Sequence, residues 1–235
     1  MFKQFSQAIV ACLLFLTNAP LSQSASLYWH YGVGSNIDDV WVSKAEFYRN
    51  GTRFYADRGT GIYGAAFERN IIEKNYYWAG GGGLPTDGLP VPDQALIEVV
   101  SFYDRKRYRI KVNLPANLAQ KMRQVYQVSG GQDLRNELYF GLAPGGYYEV
   151  LLVGRALGVR PDLLLARGIA EEVTDDWFDK KFPIGVTQMV VTLRNFDQKY
   201  AELFKQYPVP LGMDWSPIMD DYRAKQPRTD QNPVR

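Results

Sequence analysis

The sequence predicts an α+β fold, built mainly from antiparallel strands joined by β-hairpins, with two amphipathic helices. Runs rich in β-branched and aromatic residues alternate with tight-turn sequences along most of the chain. A helical period of 3.6 residues is confined to two segments, so helices and strands are segregated. The length of 235 residues, with 46% hydrophobic and 22% charged residues, is typical of one globular domain.

The first strands are predicted in the N-terminal part of the chain. Residues 27–34 and 40–49 are rich in aromatic and β-branched side chains. Asn50-Gly51 then favours a tight hairpin, because both residues tolerate a positive φ angle. The returning strand of this hairpin is predicted over residues 52–55.

Glycine and proline interrupt the chain between residues 59 and 92. Residues 59–68 are glycine-rich and fit no single element, while residues 71–78 fit either a strand or a short helix. Gly80 to Gly83 precede three prolines at positions 85, 90 and 92. This combination predicts a long loop within the domain, because successive glycines hold regular structure poorly.

The middle of the chain is more regular. Residues 96–103 and 108–114 predict two strands around a charged turn, and the second run alternates apolar with polar residues. That period of two is typical of a strand with one face in solvent. Pro115 begins a predicted helix that continues through Tyr126, and glycines at 130 and 131 end the region.

The C-terminal third adds three strands and the second helix. Strands are predicted over 137–142, 147–154 and 163–173. Residues 186–206 predict an amphipathic helix, because Leu193, Phe196, Tyr200, Leu203 and Phe204 share one face. From Ala224 the chain loses apolar residues, so residues 224–235 are predicted to be a disordered tail and the domain to span 26–223.

Residues 1–25 predict a secretory signal peptide. Lys3 is followed by a run of nine apolar residues, Ala8–Leu16, and then by small and polar residues with a cleavage site near Ser24 or Ala25. A bilayer span needs about 20 apolar residues. Cys12 lies inside the apolar run, where a lipidation motif would close it, so no lipid anchor is expected. The periplasm is the predicted location, with full secretion as the alternative.

Composition excludes several function classes. A formal net charge of +2 gives no reason to expect nucleic acid as a partner. The chain has one cysteine and one histidine, and His30 alone cannot build a zinc site. The spaced glycines from Gly59 to Gly64 follow charged turn residues instead of a buried strand, so we expect neither a dinucleotide nor another cofactor.

Carboxylates are the remaining candidates for catalysis. Asp38-Asp39, Asp175-Asp176 and Asp220-Asp221 are adjacent pairs. Neighbouring residues on a strand point to opposite faces, so no pair is a ready-made dyad. A cell-wall glycan hydrolase or glycan-binding protein is the alternative function. It would need a groove lined by Tyr or Trp, with two carboxylates facing each other at about 5–9 Å.

One segment favours protein binding. Residues 171–182 place aromatic side chains among acidic ones, which is typical of a surface that binds a basic partner. A solvated loop whose aromatic side chains pack into the core is the alternative interpretation. The candidate partner-binding residues are Asp175, Asp176, Trp177, Phe178 and Asp179.

Three blocks together resemble a known family. They are Tyr28–Gly34 leading to Trp41-Val42, Pro92–Ser101 with Tyr108–Pro115 and Met122, and Gly141–Tyr147 continuing to Gly154. Over residues 28–207 the chain resembles exported, often lipoprotein-like bacterial proteins classed as a domain of unknown function.

The resemblance implies a function. Some members of that family are encoded beside effectors of the type VI secretion system, phospholipases among them, and look like immunity proteins that bind the toxin in the periplasm. The resemblance therefore implies that this chain is a non-enzymatic periplasmic immunity protein that neutralises an antibacterial effector, with a phospholipase as the expected partner. The family offers no catalytic residues to carry over to this chain.

Overall fold

A computed structural model describes residues 27–58, 61–79, 81, 84–85, 88–128, 131–154, 162–174, 188–226 and 233–234. These described residues form a mixed α+β structure with mostly antiparallel sheets, which confirms the predicted fold class. The predicted signal peptide, including Cys12, lies outside them.

The secondary structure comprises fourteen described strands and four described helices. The helices are α1 (Glu68–Glu73), α2 (Leu118–Arg123), α3 (Gln188–Gln206) and α4 (Trp215–Ala224). The strands are β1 (His30–Gly34), β2 (Asp39–Arg49), β3 (Thr52–Asp57), β4 (Gly61–Gly64), β5 (Leu84–Pro85), β6 (Gln94–Ser101), β7 (Lys106–Asn113), β8 (Val125–Val128), β9 (Gly131–Leu134), β10 (Glu137–Ala143), β11 (Tyr147–Val153), β12 (Leu163–Ile169), β13 (Glu171–Glu172) and β14 (Pro233–Val234).

The strands form three sheets. The first sheet has the order β12-β11-β10-β1-β5, in which only the pair β1–β10 is parallel. The second has the order β13-β7-β6-β2-β3, and β4 pairs with the first half of β2. The third contains β14, β8 and β9. The β2–β3 hairpin turns at Asn50-Gly51 with φ angles of 51° and 74°, as the sequence predicts.

The first two sheets share one hydrophobic core. Alternate residues of β10, such as Leu138 and Phe140, pack with inward residues of β2 and β6, such as Phe47 and Ile97. This alternation follows from the period of two along a strand. The strong β-branched and aromatic content of these runs is therefore explained by a core between two sheets.

A second core lies on the other face of the first sheet. Tyr139 and Leu151, which alternate with residues of the first core, pack with apolar residues of α3 and α4. Phe196 of α3 and Trp215 of α4 belong to this second core, and both are buried. The first sheet is thus covered on both faces, which places any polar group on its helical face in a buried environment.

The prediction of two helices is corrected to four in the described chain. The first predicted helix ends at Arg123, and residues up to Tyr126 and beyond belong to strand β8. Residues 71–78, which fitted either element, begin inside helix α1. The sequence pattern did not predict helix α4, because the helix contains Pro217. Proline is tolerated at this position because it lies in the first turn of the helix.

Two described parts lie within the predicted tail. Gln226 is buried and binds Asp162: its Nε2 donates to Oδ2 at 3.0 Å, and its Oε1 accepts from the Asp162 backbone N–H at 2.7 Å. Pro233–Val234 pairs with β8. No helix among the described residues is both long and apolar enough to cross a membrane.

Candidate functional site

A buried polar centre lies between the first sheet and α4. Glu149, in the middle of β11, is fully buried on the helical face of the sheet. Its Oε2 accepts a 2.8 Å hydrogen bond from the indole Nε1 of Trp78, and its Oε1 accepts a 2.6 Å bond from the Tyr147 hydroxyl. The guanidinium of Arg223 on α4 forms an ion pair with Oε2.

Two arginines and a second carboxylate complete this centre. Arg167 on β12 and Arg223 both bind Asp220, through bonds of 2.5–3.0 Å. The hydrogen bond from Arg167 lowers the pKa of Asp220 to about 2. Burial raises the pKa of Tyr147, which therefore remains a neutral hydrogen-bond donor at ordinary pH. The centre is a closed set of opposite charges that fastens α4 to β11 and β12.

The predicted Asp38-Asp39 pair is divided between two environments. Asp38 is buried and accepts hydrogen bonds from Ser101 Oγ at 2.5 Å and from the Tyr103 backbone N–H at 2.9 Å. Burial raises its pKa well above the ordinary value. Asp39 instead accepts from the backbone N–H groups of Ala65 and Ala66. The Asp38 carboxylate thus binds the turn after β6 and the Asp39 carboxylate binds the segment after β4, so the two do not form a dyad.

The Asp220-Asp221 pair is divided in the same way. Asp220 binds the two arginines of the buried centre, whereas Asp221 pairs with Lys225 on the exposed side of α4. The third predicted pair, Asp175-Asp176, lies outside the described residues.

A cleft with both polar and apolar lining surrounds the only histidine. Its volume is about 730 Å³, and its lining residues are Tyr28, His30, Val125, Gln132, Asp133, Leu134, Asn136, Glu137 and Gly154. The rings of Tyr28 and His30 pack edge to face with centroids 4.4 Å apart. Asn136 contacts both residues. Its side-chain Nδ2 donates to the backbone carbonyl of Tyr28, and its backbone carbonyl accepts from the backbone N–H of His30. We call this region the His30 cleft.

Glu137 forms one wall of the His30 cleft. The parallel register of β1 and β10 places it opposite His30. Its carboxylate lies across β1 at Gly32, where a Cβ atom would come within 2.5 Å of Oε1. Burial, together with the nearby charge of Asp162, raises the pKa of Glu137. The glycine therefore creates the space that this carboxylate occupies.

An exposed group of apolar side chains lies at the end of β12. Ile169, Leu211 and Met213 are each about half exposed, at 50%, 50% and 49%. Ile169 Cδ1 comes within 3.6 Å of the position that a Cβ would take at Gly212, which the other two residues flank. We call these three residues the apolar patch.

The support beneath the apolar patch is tightly packed. Gly145 has a φ of 77°, and any Cβ there would collide with the backbone of Gly212. The indole Nε1 of Trp215 donates a 3.1 Å hydrogen bond to the Pro144 carbonyl. The patch is therefore carried by backbone that two close contacts hold in place.

The predicted partner-binding residues Asp175, Asp176, Trp177, Phe178 and Asp179 lie outside the described residues, so their role stays a prediction. The sequence analysis missed both the buried centre and the His30 cleft. One signal pointed to the centre: Glu149 is the only charged residue in the otherwise apolar and aromatic strand β11. No group of three or more His, Cys, Asp or Glu side chains in the described chain could hold a metal ion.

Fold and site together define an α+β protein in which two of the three described sheets share a core, with helices over one face, a cleft around His30 and an exposed apolar patch. A family model described as "Protein of unknown function (DUF2931)" matches residues 10–212. The chain belongs to that family, which confirms the resemblance to a domain-of-unknown-function family. No curated protein and no solved structure matches the chain.

Proposed function

We propose that this protein is a non-enzymatic periplasmic immunity protein that binds and neutralises an antibacterial effector of the type VI secretion system, with a phospholipase as the partner. The apolar patch carries this proposal. Ile169 lies against Gly212, and Leu211 and Met213 flank that glycine, so three half-exposed apolar residues come from one place in the fold. Grouped exposed apolar residues are typical of surfaces that bind other proteins. The resemblance to a family of which some members look like immunity proteins supports the same role.

The patch has the rigidity that an inhibitor needs. Its backbone is fixed by the close approach of Gly145 to Gly212 and by the bond from Trp215 to Pro144. A surface that is already ordered loses little conformational entropy when it binds, so more of the contact energy appears as affinity.

Acidic residues continue from the patch along the chain. Ile169 is followed closely by Glu171 and Glu172, whose side chains are 69% and 45% exposed and pair with Arg109 and Lys106. The segment Asp175–Asp179 begins a few residues later. An apolar patch followed in the chain by the acidic side chains of that segment is complementary to a partner with an apolar anchor and a basic rim. We therefore place the effector-binding surface at the patch and the acidic aromatic segment that follows it.

Co-expression with the effector tests the proposal. The full-length chain is expressed with periplasm-targeted phospholipase effectors of the type VI secretion system from the same genome, and growth and complex formation are measured. We expect growth to be restored and the two proteins to co-purify at equal stoichiometry. Growth arrest that the chain does not relieve, although both proteins reach the periplasm, would overturn the proposal.

Matched variants test the surface itself. Ile169→Asp and Met213→Asp should each abolish rescue, because a buried unpaired charge at an interface is costly. Phe67→Asp is the control. Phe67 is as exposed as the patch residues, at 48%, but it belongs to a different element, immediately before α1. Rescue by the patch variants at the level of the control would remove this surface from the interface.

Location is tested separately. We expect the exported protein to fractionate with the periplasm and to begin near Ser26 after cleavage at Ser24 or Ala25. Mass spectrometry of the intact protein measures the new N-terminus and would reveal any lipid on Cys12. A full-length chain in the cytoplasm would contradict the periplasmic part of the proposal.

A further inference from the structure

We propose that the His30 cleft binds a carbohydrate, with Tyr28 as an aromatic platform and Glu137 as a hydrogen-bond acceptor for sugar hydroxyls. This site is distinct from the apolar patch and does not depend on the effector-binding proposal. It concerns binding alone and assigns no bond cleavage to the cleft.

The size and lining of the cleft suit a sugar. Its volume of about 730 Å³ lies within the range of small-molecule sites, which is about 300–1,000 Å³. A pyranose ring presents an apolar C–H face and a rim of hydroxyl groups. The cleft offers the matching surfaces: apolar contact from Tyr28, Val125 and Leu134, and polar groups from Gln132, Asp133, Asn136 and Glu137.

The aromatic platform is ordered before any ligand binds. The Tyr28 ring packs edge to face on His30, and its backbone carbonyl accepts a 3.1 Å hydrogen bond from Asn136. The Tyr28 residue is nevertheless 51% exposed, so part of its ring remains free for contact. The ring thus has one packing contact and its backbone one hydrogen bond, and a side chain that is partly fixed in this way costs less entropy on binding.

Glu137 is an acceptor with unused capacity. Glu137 is half-buried, and no hydrogen-bond donor contacts its carboxylate in the part of the chain that the structure describes. An ionised carboxylate can accept up to about four hydrogen bonds. Gly32 provides the space for it, and its raised pKa agrees with a carboxylate that is poorly hydrated. A sugar hydroxyl in the cleft would supply the missing donor.

A cationic peptide is the competing ligand, because Asp133 and Glu137 also suit ammonium groups. The sugar is favoured because amides and an exposed aromatic ring line the cleft together with the acids. Gln132 and Asn136 can both donate and accept, which matches hydroxyl groups better than a purely donating cation.

The single histidine provides a direct reporter of this cleft. The full-length protein, with a histidine-free affinity tag, has one imidazole Cε1–H proton signal, and it comes from His30. That signal is followed by NMR during titration with a tetramer of N-acetylglucosamine, with maltotetraose, and with a tetralysine peptide. We expect a saturable shift with at least one of the two sugars. A shift with tetralysine alone, or no shift with either sugar, would overturn the proposal.

Variants with matched controls locate the binding. Affinities are measured by calorimetry, since removing Tyr28 itself changes the surroundings of His30. Tyr28→Ala and Glu137→Gln should each weaken sugar binding by about tenfold. Phe67→Ala and Glu202→Gln alter an exposed aromatic and an exposed acid elsewhere, and should bind as the unmodified protein does. Equal affinity in all four variants would place the sugar outside this cleft.

Discussion

The indole of Trp78 and the carboxylate of Glu149 form a buried 2.8 Å hydrogen bond between residues 71 positions apart in the chain. Trp78 follows helix α1, and Glu149 lies in the middle of β11. The same carboxylate binds Tyr147 and Arg223, so one side chain joins a loop, a strand and helix α4. A carboxylate in this position stabilises the fold only while all its partners are present.

Removing that carboxylate is expected to destabilise the protein strongly. Glu149→Ala should lower the free energy of unfolding by about 3–5 kcal/mol, because Trp78 and Tyr147 lose their buried acceptor and Arg223 loses one of its two carboxylate partners. Urea unfolding measures the change. Glu202→Ala is the control: Glu202 is 86% exposed and paired only with Lys205, so its loss should cost less than about 1 kcal/mol. Equal effects of the two variants would show that the centre contributes nothing to stability.

Two glycines of the first sheet are expected to respond differently to the same substitution. A Cβ at Gly141 would come within 2.5 Å of the Trp78 ring, and one at Gly32 within 2.5 Å of Glu137 Oε1. Gly141→Ala should cost about 2–3 kcal/mol, because a packed indole cannot move aside. Gly32→Ala should cost less than about 1 kcal/mol, because a carboxylate end can rotate away.

Thermal unfolding and tryptophan fluorescence measure this difference. A shift in the fluorescence of Gly141→Ala is expected as well, since Trp78 is the displaced group. Unfolding free energies that are the same for both alanine variants would contradict the close contact between Gly141 and Trp78.

Asp162 is expected to make stability fall as pH rises. Burial raises its pKa from 3.8 to about 6. Between these values the unfolded chain releases the proton while the folded chain keeps it, so the free energy of unfolding decreases with pH. The contribution is fully present below about pH 4 and lost above about pH 6. Relative to Asp162→Asn, the unmodified protein should lose up to about 3 kcal/mol across this interval.

Asp220 provides a comparison of opposite sign. Its pKa is lowered to about 2, so its contribution to stability is present above about pH 4 and lost as the pH falls through 2. The Asp220→Asn variant should therefore have a lower free energy of unfolding than the unmodified protein above about pH 4, and this difference should disappear as the pH falls through 2. Urea unfolding of both variants and the unmodified protein from pH 2 to pH 7 measures both trends. A constant difference between Asp162→Asn and the unmodified protein would show that Asp162 titrates normally.

Trp177 is expected to anchor the effector. Trp177→Ala should weaken effector binding by about 30-fold or more, as is typical of an aromatic hot spot, while unfolding of the isolated protein is unchanged. Surface plasmon resonance with the purified effector measures the affinity, and Phe67→Ala is the control. Unchanged affinity in a folded Trp177→Ala variant would remove the segment Asp175–Asp179 from the binding surface.

The fold class and most strands could be predicted because their signals are local. The alternation in β7 and the hairpin at Asn50-Gly51 depend only on neighbouring residues and on backbone preferences. Helix α4 could not be predicted in this way. Its pattern is short and interrupted by proline, and its burial of Trp215 and Met219 depends on the sheet beneath it.

The sequence by itself determined the α+β class, the hairpins and the long helix near residues 188–206, since periodicity and turn chemistry act over a few residues. Only the tertiary structure decided the sites. Tyr28 and Asn136 meet across 108 positions because β1 lies parallel to β10. Trp78 and Glu149 meet because the segment after α1 lies against the helical face of the first sheet. Strand order sets these contacts, and strand order follows from the burial of whole sheets, which no single segment encodes.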